Sequence, residues 1–189
     1  MTQNCEYLLE ENIVHEPSAV FDQWFQEQLK LCSGKPMDTG KHVALTTCVN
    51  GKARTHMIHL SSFDKSSLVL DIRGDVQLSH ELQANRNACL LFFWPKLHRQ
   101  VRVEGHVERI MASERNDMGE KENSQAEIDV KEKIEKLTVQ DSGCSSSYVL
   151  RAHYYEFWQR RDRIVFTRDA EDVAAKPAND GWFMKRLCS

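Results

Sequence analysis

Polar and apolar side chains alternate along one stretch in the middle of the chain. From Leu97 onward, one parity carries the polar residues His98, Gln100, Arg102, Glu104 and His106, and three valines and a glycine take the other parity. A period of two is typical of a β-strand that has one buried face and one face open to water or to a ligand. We therefore expect the polar face of this strand to form part of any binding site.

Three other groups contain residue types that can bind metals, bind phosphate or act as nucleophiles. For each group, an ordinary structural role is the alternative explanation. His56 and His59 suggest a metal pair, but an i, i+3 spacing on a strand points the two side chains to opposite faces, so we read them as cleft-lining or packed histidines. Arg160–Arg163 is either a weak phosphate patch or a solvated turn with local ion pairs. Ser145–Ser147 and His153 lack a third, orienting group and do not predict a nucleophile. We predict no catalytic side chain and no metal ligand from these patterns.

The composition predicts one globular domain over residues 1–189. A chain of 189 residues with 41% hydrophobic content is long enough to bury one sizeable core. The net charge of −3 gives no general attraction to nucleic acid or to anionic membranes, and no apolar run is long enough to cross a bilayer. The acidic N-terminal residues do not look like an export signal, and six scattered cysteines are typical of free thiols in a reducing compartment. We therefore expect a cytoplasmic protein.

Local signals predict mostly strands, with helices at the edges. Glu16-Pro17 opens a helix with an aromatic stripe, and Asn50-Gly51 joins the runs 42–49 and 52–60 as a hairpin. Further strands are predicted at 68–72, 88–94, 97–109, 148–158, 164–168 and 182–187, with a short helix at 78–85 and a long loop at 169–180. Residues 1–15 are predicted to be flexible, and 111–147 to be a divergent insert with one amphipathic helix and a linker. This pattern favours a small antiparallel barrel with flanking helices.

Two motifs give the chain a resemblance to a known family. The run Leu90–Arg109, with its Arg-Gln-Val-x-Val-x-Gly core, and the later Glu-Phe-Trp-Gln at 156–159 resemble the pyridoxine/pyridoxamine 5'-phosphate oxidases. The similarity covers roughly residues 13–110 and 148–189. It implies a mainly β (α+β) fold, the split β-barrel that binds flavin mononucleotide (FMN), in a homodimer with FMN in clefts at the subunit interface. It also implies that the flavin oxidises pyridoxamine or pyridoxine phosphate, while protein groups hold flavin and substrate.

The sequence retains some of the family's binding residues and has substitutions at others. Gln100, Trp158 and Arg163 match flavin contacts of the family, and Arg160 and Arg161 fall where the substrate, a phosphorylated B6 vitamer, would bind. The family's Arg-x-Val-Leu-Leu-Lys strand, which serves both phosphates, reads His56 to Ser61 here, so these two residues are the remaining cofactor-binding candidates on that strand. A further Ser-Arg-Lys phosphate anchor reads Val-Gln-Leu at 76–78. We interpret Trp158 and Trp182 as packing residues unless a flavin is bound.

These substitutions lead to two alternative functions. A charge-assisted hydrogen bond contributes about 1.5–3 kcal/mol, so the loss of three cations costs roughly 4–9 kcal/mol if the terms add. That corresponds to a loss of flavin affinity on the order of a thousand-fold to a million-fold. The chain is then expected to be an oxidase-like protein of vitamin B6 metabolism, FMN-dependent if active, with most phosphate-anchoring residues substituted. The alternative is a catalytically inactive paralogue that acts as a dimeric ligand-binding or interaction module.

Overall fold

Strands dominate the described part of the chain. The computed structural model describes residues 14–32, 40–72, 75–110, 147–169 and 175–187, which contain two α-helices and nine strands. In chain order these elements are α1 (Pro17–Lys30), β1 (His42–Val49), β2 (Lys52–Phe63), β3 (Ser67–Asp71), α2 (Val76–Ala84), β4 (Asn87–Trp94), β5 (Arg99–Ile110), β6 (Ser147–Gln159), β7 (Asp162–Thr167), β8 (Lys176–Pro177) and β9 (Phe183–Leu187).

The nine strands form one sheet that closes on itself. Their order is β3-β2-β1-β4-β5-β6-β7-β9-β8, and an additional antiparallel pairing joins β3 to β6. This pairing closes the first six strands into a barrel, and β7, β9 and β8 extend the sheet beyond it. The prediction of a mainly β barrel with flanking helices is therefore confirmed.

One compact unit contains α1 and the aromatic core. Its described residues fall within the ranges Met1–Gly40, Cys89–Glu104 and His153–Ser189. The apolar side of α1 packs on the sheet: the Phe21 ring lies 5.0 Å from that of Phe92, and the Trp24 ring lies 5.3 Å from that of Phe157. The predicted aromatic stripe of this helix is thus buried, as expected for a helix that covers a sheet.

The other compact unit contains α2 and the first three strands. Its described residues fall within the ranges Lys41–Ala88 and Gly105–Ala152. β1 and β2 pair in register from His42 opposite His59 to Val49 opposite Lys52. The connecting Asn50 and Gly51 have φ values of 51° and 73°, the left-handed conformation that a two-residue hairpin turn requires. The predicted hairpin is confirmed.

The structure differs from the sequence predictions at two places. His98, predicted as the start of a strand, has φ 52° and ends a short 3-10 turn at Pro95–Leu97, because the proline favours that turn and delays β5 to Arg99. The predicted loop 169–180 contains β8, which pairs with β9, and a 3-10 turn at Asn179–Gly181.

Several predictions lie outside the structure. The insert at 111–147 and the N-terminal segment 1–15 fall almost entirely outside the described residues, and the single-domain interpretation stays a prediction. None of the helices among the described residues has the length and apolar character needed to cross a membrane.

Candidate functional site

Helix α2 places a buried carboxylate beside strands β1 and β2. Its buried residues are Leu78, Glu81 and Leu82, which share one helix face by their i, i+3 and i+4 spacing. Glu81 has only 5% of its surface exposed. A carboxylate is rarely buried to this extent unless polar groups compensate its charge.

Four side chains compensate that charge. Thr47 on β1 donates a hydrogen bond of 2.7 Å to Oε2 of Glu81, and Gln77 donates one of 3.0 Å to Oε1. On β2, His56 Nε2 lies 2.9 Å from Oε2, and Arg54 Nη1 lies 3.4 Å from Oε1. Together with Asp75, these residues are called the Glu81 cluster.

The cluster favours the ionised form of Glu81. The hydrogen bond from Thr47 has the largest effect on its pKa; burial opposes it, and Gln77 and His56 act in the same direction as Thr47. The net result is a pKa below the usual value for a glutamate. Glu81 therefore carries a stable negative charge at neutral pH.

Asp75 places a second carboxylate on the other side of His56. It is the N-cap residue of α2, and its Oδ1 accepts a 2.8 Å hydrogen bond from the backbone N–H of Leu78. Its Oδ2 lies 3.2 Å from Nδ1 of His56. Both ring nitrogens of His56 thus face carboxylate oxygens, and only the protonated ring can donate hydrogen bonds to both.

The charges within the Glu81 cluster compensate one another. Two carboxylates, Asp75 and Glu81, face the Arg54 guanidinium and an imidazole that adds one positive charge when it is protonated. The cluster as a whole is neutral or carries one negative charge. The opposite charges stabilise the positions of these side chains, and the cluster offers no excess positive charge to a ligand.

A second buried carboxylate lies in the unit that contains α1. Glu156 on β6 is 5% exposed and accepts a 2.7 Å hydrogen bond from Nε of Arg102 on β5. Its other oxygen lies 3.1 Å from Nη1 of Arg163 on β7. Arg102 also pairs with Glu104 at 2.6 Å and donates to the Tyr154 hydroxyl at 3.0 Å. These five residues are called the Glu156 cluster.

The Glu156 cluster also shifts the protonation of its members. Burial raises the pKa of the Tyr154 hydroxyl, and the adjacent Glu156 carboxylate raises it further. Partial burial works against the charged form of Arg102, but Glu156, Tyr154 and Glu104 together outweigh this effect, so the pKa of the guanidinium is raised. Arg102 therefore stays charged and Tyr154 stays neutral at physiological pH.

Four of the predicted site residues lie close together at the β6–β7 hairpin. Trp158 and Arg163 are directly paired across the two strands, and the Arg163 guanidinium lies over the Trp158 ring, 5.3 Å from its centroid. Arg160 and Arg161 form the turn between them and are exposed. Trp158 is 36% exposed and not packed in the core, whereas Trp182 is buried as predicted.

Gln100 lies on the strand beside this hairpin. The backbone N–H of Arg160 donates to the carbonyl of His98 at 3.1 Å. Gln100 lies on β5, two positions after His98, and Trp158 lies on the neighbouring strand β6, two positions before Arg160. The half-buried Gln100 side chain is therefore a cross-strand neighbour of Trp158.

The remaining two predicted residues belong to the other unit. His56 is a member of the Glu81 cluster, and Ser61 lies on β2 where the register with β3 shifts between Leu60 and Ser62. His42 and His59, which are paired across β1 and β2, have rings 5.6 Å apart. Among the residues that the structure describes, no group of three or more His, Cys, Asp or Glu side chains is placed to hold a metal ion.

Three carboxylates of the two clusters, Asp75, Glu81 and Glu156, were not predicted from the sequence. Asp75 directly precedes α2, which is the usual signal for an N-cap, and Glu81 shares the apolar face of the helix with Leu78 and Leu82. These signals locate the residues but not their partner, because His56 is 25 residues away from Glu81 along the chain. Glu156 lies within the Glu-Phe-Trp-Gln motif, and nothing in the sequence indicates that two arginines bury it.

The fold places the protein in the class of split β-barrels. The chain matches a solved structure of PhzG from Burkholderia lata, in complex with tetrahydrophenazine-1-carboxylic acid, with a TM-score of 0.69, 16% identity and full coverage of both chains. It also matches a pyridoxamine 5'-phosphate oxidase-related, FMN-binding protein from Nostoc punctiforme with a TM-score of 0.60 and 12% identity, over 92% of this chain and 97% of that one. These two similarities support the fold alone.

The sequence comparisons identify the family. The family model described as pyridoxamine 5'-phosphate oxidase matches residues 39–159, which is more than half of the chain. A pyridoxine/pyridoxamine 5'-phosphate oxidase of Burkholderia cenocepacia is 27% identical over 91% of this chain and 88% of its own length. The chain belongs to the pyridoxamine 5'-phosphate oxidase family, as its Arg-Gln-Val-x-Val-x-Gly and Glu-Phe-Trp-Gln motifs predict.

Proposed function

We propose that the protein is a pyridoxamine 5'-phosphate oxidase-like member of vitamin B6 metabolism whose FMN site lacks its phosphate anchors. In this proposal FMN is held weakly, and oxidation of the B6 vitamer is correspondingly poor. One observation carries the proposal: His56, at the position that corresponds to a phosphate-binding arginine, has a carboxylate oxygen beside each ring nitrogen.

The residues of the Glu81 cluster do not fit the phosphate group of FMN. A phosphate dianion binds where cations and N–H donors are available to it. Here Nη1 of Arg54 and both ring nitrogens of His56 face Glu81 or Asp75, and the Leu78 N–H in the first turn of α2 donates to Asp75. A dianion in this position would also lie next to two carboxylates, and like charges at short distance repel strongly.

Other residues are better suited to bind the flavin ring and the B6 vitamer. Trp158 and Arg163 present an aromatic face and a guanidinium at the β6–β7 hairpin, and Gln100 adds an amide from β5. We assign these three residues to the flavin ring and the exposed Arg160 and Arg161 to the phosphate of the vitamer. FMN, when bound, supplies the redox chemistry of this family, and the residues named here would only bind and orient.

Exposed apolar side chains support a homodimer as part of the proposal. Leu91 and Phe93 on β4 are 36% and 66% exposed, and both alternate with buried residues on that strand. Large exposed apolar side chains that cluster on one face are typical of surfaces that another protein covers. A second copy of the chain is the partner expected from the family.

The test is oxidation of pyridoxamine 5'-phosphate under oxygen as a function of added FMN. We expect the desalted protein to have no activity of its own, and the rate to rise steadily with FMN without early saturation. A protein that retains its flavin through desalting and turns over without added FMN contradicts the proposal.

A second candidate is a dimeric binding or interaction module without catalysis. It is favoured by Ser61, a neutral residue at the position where the family's lysine serves the substrate phosphate. The same assay separates the two, because this candidate predicts no oxidation at any FMN concentration while the protein remains folded. Binding of pyridoxamine 5'-phosphate in the absence of flavin, measured by calorimetry, then tests the module directly.

A further inference from the structure

We propose that Asp75 and Glu81 determine specificity in this protein: their carboxylates occupy the donors at the N-terminal end of α2 and so exclude phosphate groups from it. The two side chains are called the internal anions. This inference rests on the proposed function and deepens it, because it names the residues that set the weak affinity for the FMN phosphate.

The first internal anion, Asp75, occupies the helix end itself. The N-terminus of a helix favours an anion, since its first N–H groups lack partners within the helix and its dipole is positive there. The Asp75 carboxylate provides that anion from within the chain: it accepts the N–H of Leu78 and lies beside Nδ1 of His56. A phosphate from solution would have to displace it.

The second internal anion, Glu81, engages four side-chain donors next to this helix end. It engages Nε2 of His56 and accepts the hydroxyl of Thr47 and the amide of Gln77. The guanidinium of Arg54, which is 43% exposed, is also directed toward it. Glu81 is buried, so solvent ions screen its charge only weakly.

The same geometry predicts a gain of function. If both carboxylates become amides, His56, Arg54 and the N-terminal end of α2 keep their positions but lose their internal counter-charges. They then form a positively charged group at a helix N-terminus, which is the arrangement that binds phosphate in many proteins. The variant should therefore acquire an affinity for phosphate that the natural chain lacks.

The test compares the natural chain with Asp75→Asn/Glu81→Gln. Asparagine caps helices as well as aspartate, so α2 should persist in this variant. We expect inorganic phosphate to raise the thermal unfolding midpoint of the variant above its value in chloride of equal ionic strength. We also expect its affinity for FMN to increase by about tenfold or more, since the phosphate regains charge-assisted hydrogen bonds.

The matched control is Asp22→Asn/Glu108→Gln. It makes the same change in net charge at two exposed carboxylates outside the Glu81 cluster, which contact Gln26 and Arg151 respectively. This control and the natural chain should show no phosphate response. An equal response in the control, or an equal stabilisation of the natural chain by phosphate, overturns the inference.

A single variant covers the case in which the double variant does not fold. Asp75→Asn alone retains the buried network around Glu81 and should respond to phosphate in the same direction but more weakly. A folded Asp75→Asn protein that shows no response overturns the inference. The proposed function fails separately, if the natural chain retains flavin and turns over without added FMN, because that result does not depend on any variant.

Discussion

At the scale of single residues, Thr47 is the most informative position in the Glu81 cluster. Its hydroxyl is buried, and its 2.7 Å hydrogen bond to Glu81 has the largest effect on the pKa of that carboxyl. Replacing Thr47 by valine keeps the shape and removes the hydrogen bond. We expect Thr47→Val to lower the free energy of unfolding by about 1.5–3 kcal/mol at neutral pH, measured by urea denaturation.

The pH dependence of this loss has a defined sign. The pKa of Glu81 is lowered in the folded state, so its ionised form stabilises the protein above its unfolded-state pKa, near the ordinary value of 4.5. That stabilisation disappears as the pH falls through the lower, folded-state pKa. The difference between Thr47→Val and the natural chain should therefore shrink in acid. Thr46→Val, which removes an exposed hydroxyl bonded to Thr55, is the control and should cost much less.

Gln100 tests whether the polar face of β5 contacts a flavin. We expect Gln100→Ala to weaken flavin binding roughly two- to tenfold, as expected for the loss of one hydrogen bond, and to leave the unfolding midpoint unchanged. Quenching of flavin fluorescence during titration measures the affinity. Unchanged affinity in a folded Gln100→Ala protein would remove Gln100 from the proposed flavin site.

At the scale of elements, Gly105 permits the close approach of β5 and β6. A Cβ atom at this position would lie 2.2 Å from the carbonyl oxygen of Arg151 and 2.7 Å from Cδ2 of Leu150. The backbone itself would have to move, so we expect Gly105→Ala to cost about 1–3 kcal/mol or more of stability in chemical denaturation. The neighbouring His106→Ala changes an exposed side chain of the same strand and should cost far less. Equal losses in the two variants would contradict the close-packing explanation.

Elements whose signals are local could be predicted from the sequence. Pro17 at the first helical position and the Asn50-Gly51 turn fix α1 and the β1–β2 hairpin without help from the rest of the chain. The alternation in β5 is equally local, and its valines are fully buried at 101 and 103. The bounds of these elements are accordingly close to the prediction.

The partners in the candidate site could not be predicted in the same way. From the sequence alone, His56 is interpreted as the replacement of a phosphate-binding arginine. In the structure its two carboxylate partners come from the N-cap and the buried face of α2, further along the chain. Arg163 likewise reads as a flavin contact, whereas in the structure it also compensates the buried Glu156. Such pairings depend on tertiary packing, which a single sequence does not specify.

At the scale of the whole molecule, the proposed homodimer gives the next prediction. The chain has a mass of 21.9 kDa, and light scattering of the purified protein should give twice that value. Phe93→Asp places a charge on the exposed apolar face of β4 and should shift the protein toward the monomer, whereas Gln23→Asp on the exposed face of α1 should not. A natural chain that is monomeric at every concentration would contradict the dimer.

The central claim is that this member of the family has lost its anchorage for the FMN phosphate. The most direct measurement is a pair of titrations of the natural protein, one with FMN and one with riboflavin, which lacks only the phosphate. We expect FMN to bind at most about threefold more tightly than riboflavin, because the Glu81 cluster contributes no net attraction to the phosphate. FMN binding that is more than about a hundredfold tighter than riboflavin binding would contradict it, since such a difference requires the charge-assisted phosphate contacts that this cluster is inferred to exclude.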